Sequence, residues 1–153
     1  MDNVDKRILA ALQTDASGSV AIIAEHAGVS QTPCWKRIKK LEERGFIRSR
    51  VALLDPEKVG LHLVGYIQIK AVEHTEKWLK KFTTAVRNIP EITECHRMTG
   101  EIDYLLKVMA PDMAGYDAIY KRLINAIDMS DVSVGFSMER IKETTELPLN
   151  YAE

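Results

Sequence analysis

Over the first 45 positions, apolar residues recur at the spacing of short amphipathic helices, and afterwards they alternate as in strands. Val4, Ile8, Ala11 and Leu12 form one stripe of a first helix that Asp2 or Asn3 can cap. A polar break carrying Asp15, Ser17, Gly18 and Ser19 follows. Ser19 can cap a second helix with Val20, Ile23, Ala24 and Ala27 inward, and Gly28 suits the left-handed conformation that closes a helix. Only Val29, Ser30 and Gln31 separate it from a third helix, with Thr32 as N-cap and Pro33 at the first position. Cys34, Ile38 and Leu41 would be its buried face and Gly45 its end. Two helices joined by so short a turn predict a helix-turn-helix. Ile47, Val51 and Leu53 suit the short strands of a small wing, with basic residues between them.

The second half changes period. Leu63, Gly65, Ile67, Ile69 and Ala71 share one face of a strand, and Tyr66, Gln68 and Lys70 the other. Residues 75 to about 88 predict a helix with Trp78, Leu79, Phe82, Val86 and Ile89 inward and Pro90 beyond it. Residues 92–99 and 104–110 predict two strands around the turn Gly100-Glu101-Ile102-Asp103. Asp112 can cap a helix carrying Met113, Tyr116, Ile119, Tyr120, Leu123 and Ile127, and Val132, Val134, Phe136 and Met138 alternate as a last strand. The order β-α-β-β-α-β is that of a ferredoxin-like sandwich, so the chain reads as α+β. Residues 1–50 form a winged helix-turn-helix domain, residues 51–62 a hinge strand and linker around Asp55-Pro56, and residues 63–153 a second domain.

Charge sharpens this division. The 153 residues carry 22 acidic and 21 basic side chains, and the 46% hydrophobic content is that of a folded globular protein. The net charge of −1 conceals +3 on residues 1–50 and −4 on residues 51–153. Residues 36–50 hold seven Lys or Arg against two Glu, a net +5. At roughly 100° per residue, Lys36, Lys39 and Lys40 lie opposite Cys34, Ile38 and Leu41, with Trp35 and Arg37 on the flanks. This suits a helix in the major groove of double-stranded DNA. The lysines would neutralise phosphates. Gln31 and Thr32, at the start of the helix, would reach base edges, and Trp35 would meet a sugar or a thymine methyl. Arg48 and Arg50 belong to the wing. The plainer alternative is a solvated basic face on an ordinary bundle. The acidic half is expected to avoid DNA.

Cys34 and Cys95 have neither disulfide nor zinc spacing, and the histidines at 26, 62, 74 and 96 lack metal-ligand spacing. No metal site or cofactor is expected. Cys34 suits a small core residue better than a redox sensor. Met1 to Arg7 lack a signal-peptide pattern, and no apolar run approaches the roughly 20 residues that span a bilayer. A reduced cytoplasm and no membrane partner are expected.

Several motifs share one source. Thr32-Pro33-Cys34-Trp35-Lys36-Arg37, Leu41-Glu42, Gly45-Phe46-Ile47, Ala52-Leu53-Leu54-Asp55-Pro56 and Gly100-Glu101-Ile102-Asp103-Tyr104-Leu105-Leu106 resemble the leucine-responsive/AsnC (feast/famine) family of transcription regulators. Trp35 and the stretch from Ala52 to Gly60 most resemble the bacterial branch with the cysteine-detoxification and branched-chain keto-acid dehydrogenase regulators. The resemblance implies a DNA-binding regulator whose second domain binds an amino-acid effector and oligomerises. It implies dimers joined through their sheets, then tetramers, octamers or larger rings, with the effector between dimers. By position it implies effector contacts from Met98, Gly100, Asp103, Tyr104, Ser133 and Ser137. Gly100 would admit a ligand close to the backbone, Asp103 would accept from an α-ammonium, and turn N–H groups would hold a carboxylate. Without the resemblance these residues describe a simple hairpin turn. Some proteins of this architecture are tetrapyrrole (sirohaem) decarboxylases, and His62 and His96 would be the acid or base in that alternative. No catalytic triad appears, so the expectation is a regulator and not an enzyme. A sensing module with vestigial DNA affinity is the third alternative.

Overall fold

The computed structural model describes residues 1–152, and the chain forms two compact units. One comprises Met1–Leu53 with the chain from Ile141 onward, and the other is Leu54–Arg140. Among the described residues no helix is long and apolar enough to cross a membrane.

The first unit holds helices α1 (Asn3–Thr14), α2 (Val20–Ala27) and α3 (Gln31–Glu43). Asp2 and Asp5 form a reciprocal cap on α1: Asp5 N–H donates to Asp2 Oδ1 at 2.8 Å, and Asp2 N–H to Asp5 Oδ2 at 3.3 Å. Gly28 closes α2 at φ +68°, a conformation that side chains with a Cβ avoid. Arg7 Nε donates to the carbonyl of Ala27 at 2.8 Å, which satisfies one of the acceptors left over at that helix end. Ile8, Leu9, Ile23, Ala24, Ala27, Cys34, Ile38 and Leu41 make the core. Each large aliphatic side chain buried there contributes about 1.5–3 kcal/mol.

Two expectations for this part are corrected. Helix α3 begins earlier: Ser30 holds the cap position, making Thr32 the second helical residue and Pro33 the third. Pro33 is still tolerated, because the first four N–H groups of a helix have no intrahelical acceptor. The wing and hinge strands are absent, since no strand lies between Phe46 and His62. Among the described residues, 48–54 make no backbone hydrogen bond to one another or to any other segment, and Val51, Leu53 and Leu54 are 71%, 71% and 72% exposed. Asp55 to Leu61 instead form a hydrogen-bonded turn, closed by Leu61 N–H on the Pro56 carbonyl at 2.8 Å.

The last described residues of the range 63–153 also make contacts with the helices. From Ile141 on, the chain packs within the helical unit. The Gln13 amide binds both backbone groups of Leu147, accepting from its N–H at 2.7 Å and donating to its carbonyl at 3.1 Å. Leu149 then packs on the three-helix core. One amide side chain does here what a strand neighbour would do, without leaving any periodicity in the sequence.

The second unit contains β1 (Leu63–Ala71), α4 (Glu76–Arg87), β2 (Ile92–Arg97), β3 (Tyr104–Ala110), α5 (Met113–Ala126) and β4 (Met129–Phe136). The sheet is antiparallel in the order β2-β3-β1-β4, the expected ferredoxin-like arrangement. Ile67, Ile69, Leu106 and Val108 point to the side covered by α4 and α5, where Trp78, Phe82, Ile119 and Leu123 meet them. Tyr66, Gln68 and Lys70 face the other, uncovered side. Thr75 caps α4 and Asp112 caps α5. Leu79 and Met113, expected inward, sit on helix flanks and are exposed, and Met138 lies beyond the end of β4. Strand β2 ends at Arg97, and Met98 N–H closes the hairpin in the same register on the Asp103 carbonyl at 2.8 Å.

Candidate nucleic-acid interface and effector loop

Helix α3 is fixed by one face and open on the other. Cys34, Ile38 and Leu41 are sealed in the core, while Gln31, Thr32, Trp35, Lys36, Lys39 and Lys40 are exposed. Burial pushes the Cys34 thiol up, which keeps it protonated and unreactive. The cations of this segment differ in their engagements. Lys39 Nζ and Arg50 both pair with Glu42, each at 2.9 Å. The Lys39 hydrogen bond is the main favourable interaction holding the Glu42 carboxyl below its usual range. Arg37 is turned away from the open face and closes on Asp2 at 2.6 Å and Asp5 at 2.7 Å, fastening α3 to the capped end of α1. Among the described residues Lys36, Lys40 and Arg48 have no carboxylate at ion-pair distance, so their charge is uncompensated.

The Arg37 clasp has a pH signature. The Asp5 N–H, and then Arg37, hold the Asp2 carboxyl below its ordinary value. A carboxyl depressed in the folded state stabilises fully above the unfolded value of about 3.9. That contribution is lost as pH falls through the folded value. In Asp2→Asn the cap acceptor survives but the charge does not. The melting temperature of the natural protein is expected to exceed that of Asp2→Asn at neutral pH, with the gap closing in acid. A gap that persists in acid contradicts the assignment.

The other predicted residues lie in the second unit. Met98, Gly100, Asp103 and Tyr104 come together at the β2–β3 hairpin. Gly100 has φ +113°, and no atom lies within 4 Å of where a Cβ would stand. Among the described residues the N–H groups of Thr99, Gly100, Glu101 and Ile102 make no hydrogen bond. Asp103 ties the loop to β1: its N–H donates to the Ile69 carbonyl at 2.9 Å, and its Oδ2 accepts from Ala71 N–H at 2.8 Å. Its Oδ1 is left 3.7 Å from His74 Nε2. His74 was not among the expected residues, because the β1–α4 loop approaches Asp103 only through the sheet register. Tyr104 is buried, its ring 4.5 Å from Phe82 and 5.7 Å from Trp78 between centroids. It anchors the loop from beneath and presents no ring to a ligand.

Ser133 and Ser137 are not gathered with this loop. Ser133 pairs with Gln68 in mid-sheet, and Ser137 N–H donates to the Val64 carbonyl. Val64 and Ala71 are separated by roughly 23 Å along β1. Ser137 instead lines a cleft of about 340 Å³ with Glu57, His62 and Arg140. The histidines of the decarboxylase alternative are also apart. His96 is level with Gln68 through Leu105 and pairs with Glu94 at 3.2 Å, whereas His62 precedes the far end of β1. Roughly 20 Å of strand separates them.

Comparison with known proteins agrees with both halves. Residues 1–42 match the AsnC-type helix-turn-helix domain, and residues 64–147 match the Lrp/AsnC ligand binding domain. The chain is 46% identical over 150 residues to the DNA-binding transcriptional activator DecR of Escherichia coli strain K12, covering 97% of this chain and 99% of that one. An AsnC family transcriptional regulator from Agrobacterium tumefaciens has a closely similar structure, with a TM-score of 0.97 at 51% identity and full coverage of both chains. The L-Met complex of a transcriptional regulator from Neisseria meningitidis superposes with a TM-score of 0.93 at 34% identity, covering 98% of this chain and 97% of that one. These relatives are named as regulators, and nothing among them supports the decarboxylase alternative. The chain belongs to the Lrp/AsnC family, DNA-binding transcription regulators with a helix-turn-helix and a ligand-binding domain.

Proposed function

We propose that α3 enters the major groove with Gln31 and Thr32 at base edges, Trp35 against a sugar or thymine methyl, and Lys36 and Lys40 on phosphates. The observation that carries this is the pair of uncompensated lysines on a helix whose opposite face is closed in the core. Lys39 and Arg50 share Glu42 and contribute less, and Arg48 adds a backbone contact. Arg37 acts indirectly, by fixing the angle of α3. The reader comprises residues 1–50 and the sensor begins at 63, with 51–62 as the hinge between them.

The ligand of the second unit is a small amino acid bound at the β2–β3 loop. Its carboxylate meets the unused N–H groups around Gly100, and its ammonium meets Asp103 Oδ1 beside Met98. The L-Met complex of the Neisseria relative supports this ligand class. Ser133 and Ser137 join such a site only when another copy supplies them. The uncovered sheet face supports pairing of copies into dimers, and dimers into tetramers or octamers. Linked readers bind more tightly when their spacing fits the DNA. An effector with unequal affinity for two assembly geometries then shifts DNA binding. A cytoplasmic location follows from the DNA partner. Trp35 and the Ala52–Gly60 stretch favour the cysteine-detoxification branch.

Asp103 separates ligand binding from loop support. Asp103→Asn keeps an acceptor for Ala71 N–H but removes the charge. It is expected to melt near the natural protein while losing about tenfold or more in amino-acid affinity, as hydrogen bonds to charged groups are worth about 1.5–3 kcal/mol. Asp103→Ala should also lower stability by about 1–3 kcal/mol. Thermal-shift titration with each of the twenty amino acids reads both effects. An unchanged titration in Asp103→Asn, or no response from the natural protein, would overturn the effector assignment.

A further inference from the structure

The acidic total of the second half conceals one basic surface. The solvent-facing side of α4, opposite Trp78, Phe82 and Ala85, carries Lys77, Lys80, Lys81 and Arg87, all exposed. At about 100° and 1.5 Å per residue, the four fall within an arc of roughly 120° and a length of about 15 Å. Among the described residues none of them has a carboxylate at ion-pair distance. Four other cations of the same unit are matched, Lys107 with Glu94, Lys121 with Asp117, Arg122 with Glu91 and Arg140 with Glu57, while Lys58, Lys70 and Arg97 are unmatched but stand singly along the chain. Glu76 lies one turn before Lys80 and still does not pair with it. Four like charges so close together repel one another unless an anion sits over them.

We propose that this face of α4 is a second, sequence-independent contact for duplex DNA. This rests on the DNA-binding assignment above. A duplex offers one phosphate per roughly 3.4 Å on each strand, so a 15 Å row of cations spans about four or five of them. The polar groups between the cations are unsuited to reading bases. The Thr83 and Thr84 hydroxyls donate back into the helix, to the Leu79 and Lys80 carbonyls at 2.8 and 2.9 Å. Charge without reading groups suits backbone contact. The expectation that the acidic half avoids DNA is therefore replaced, for α4, by its opposite.

The test is the full chain with Lys77, Lys80, Lys81 and Arg87 all changed to Gln, which keeps helix propensity while removing charge. Binding is followed by fluorescence anisotropy across a salt series, with duplexes of about 20 and about 60 base pairs. Each lost phosphate contact lowers the salt slope by about 0.9. On the long duplex the slope is expected to fall by about 2–4 and low-salt affinity by tenfold or more. The change should be smaller on the short duplex, which offers fewer phosphates. Lys77→Gln with Lys81→Gln, a milder pair, should give about half the change in slope and guards against misfolding of the fourfold variant. Natural-type slopes on both duplexes overturn the inference while leaving the α3 assignment standing. So does a change confined to oligomeric state by sedimentation velocity, which would make the face a contact between copies. Failure of the natural protein to bind either duplex overturns both.

Discussion

Lys36→Ala together with Lys40→Ala is expected to weaken binding to duplex DNA about ten- to a hundredfold at low salt, and to reduce the salt slope by about 2. Both lysines are exposed and without a carboxylate partner, so their charge is available to phosphate. The loss should be similar for unrelated sequences, since phosphate contacts carry no base identity. Lys39→Ala should cost less, because Lys39 Nζ is already 2.9 Å from Glu42. Gln31→Ala should change which sequences are preferred more than how tightly DNA is held. None of these exposed positions should move stability by more than about 0.5 kcal/mol. Anisotropy titrations on two unrelated duplexes separate the two kinds of change. Unchanged affinity and slope in the double variant would show that this face of α3 does not meet DNA.

The largest expected effect on stability is that of Phe82→Ala. Phe82 is fully buried, stacked on Trp78 at 5.0 Å between ring centroids and packed on Tyr104 at 4.5 Å. Truncating a buried Phe removes its transfer energy and leaves a cavity, at a cost of about 3–5 kcal/mol. Domains are stable by only about 5–15 kcal/mol, so the second unit would lie near its unfolding threshold. The effect should reach the ligand loop, because Tyr104 follows Asp103 directly and rests on the Phe82 ring. Loss of amino-acid response is therefore expected at temperatures where the variant is still folded. Leu79→Ala, three positions away on the exposed flank, should cost about 1 kcal/mol or less. Urea denaturation with amino-acid titration measures both. A cost below about 1 kcal/mol for Phe82→Ala would contradict the aromatic anchor.

Periodicity made most of the fold legible, because it reports which face of an element is dry. The pair Ile67 and Ile69 against Gln68 and Lys70 defined β1, and Cys34, Ile38 and Leu41 fixed which side of α3 faces out. The failures share another cause. Strand pairing at Val51 to Leu54 needs a neighbour that a single sequence cannot supply. The attachment of Leu147 to Gln13 depends on one amide from far along the chain. The candidate site was legible to the same degree. Charge at Lys36 and Lys40 could be read directly, but Arg37 looked equally basic, and only its approach to Asp2 and Asp5 shows that its charge is spent internally. Tyr104 and Asp103 were found as motif residues, whereas their supporting roles emerge from the aromatic cluster and the Ala71 N–H.

The most direct test of an effector-responsive regulator is the linkage between the two units. The dissociation constant of the full chain for an upstream-region duplex would be taken with and without the amino acid that most raises its melting temperature. The affinity for that amino acid would then be taken with and without the duplex. Reciprocity requires both affinities to change by the same factor, typically 5- to 150-fold. A shared factor is expected, and it should disappear in Asp103→Asn. Tight DNA binding and tight amino-acid binding that ignore each other would contradict it.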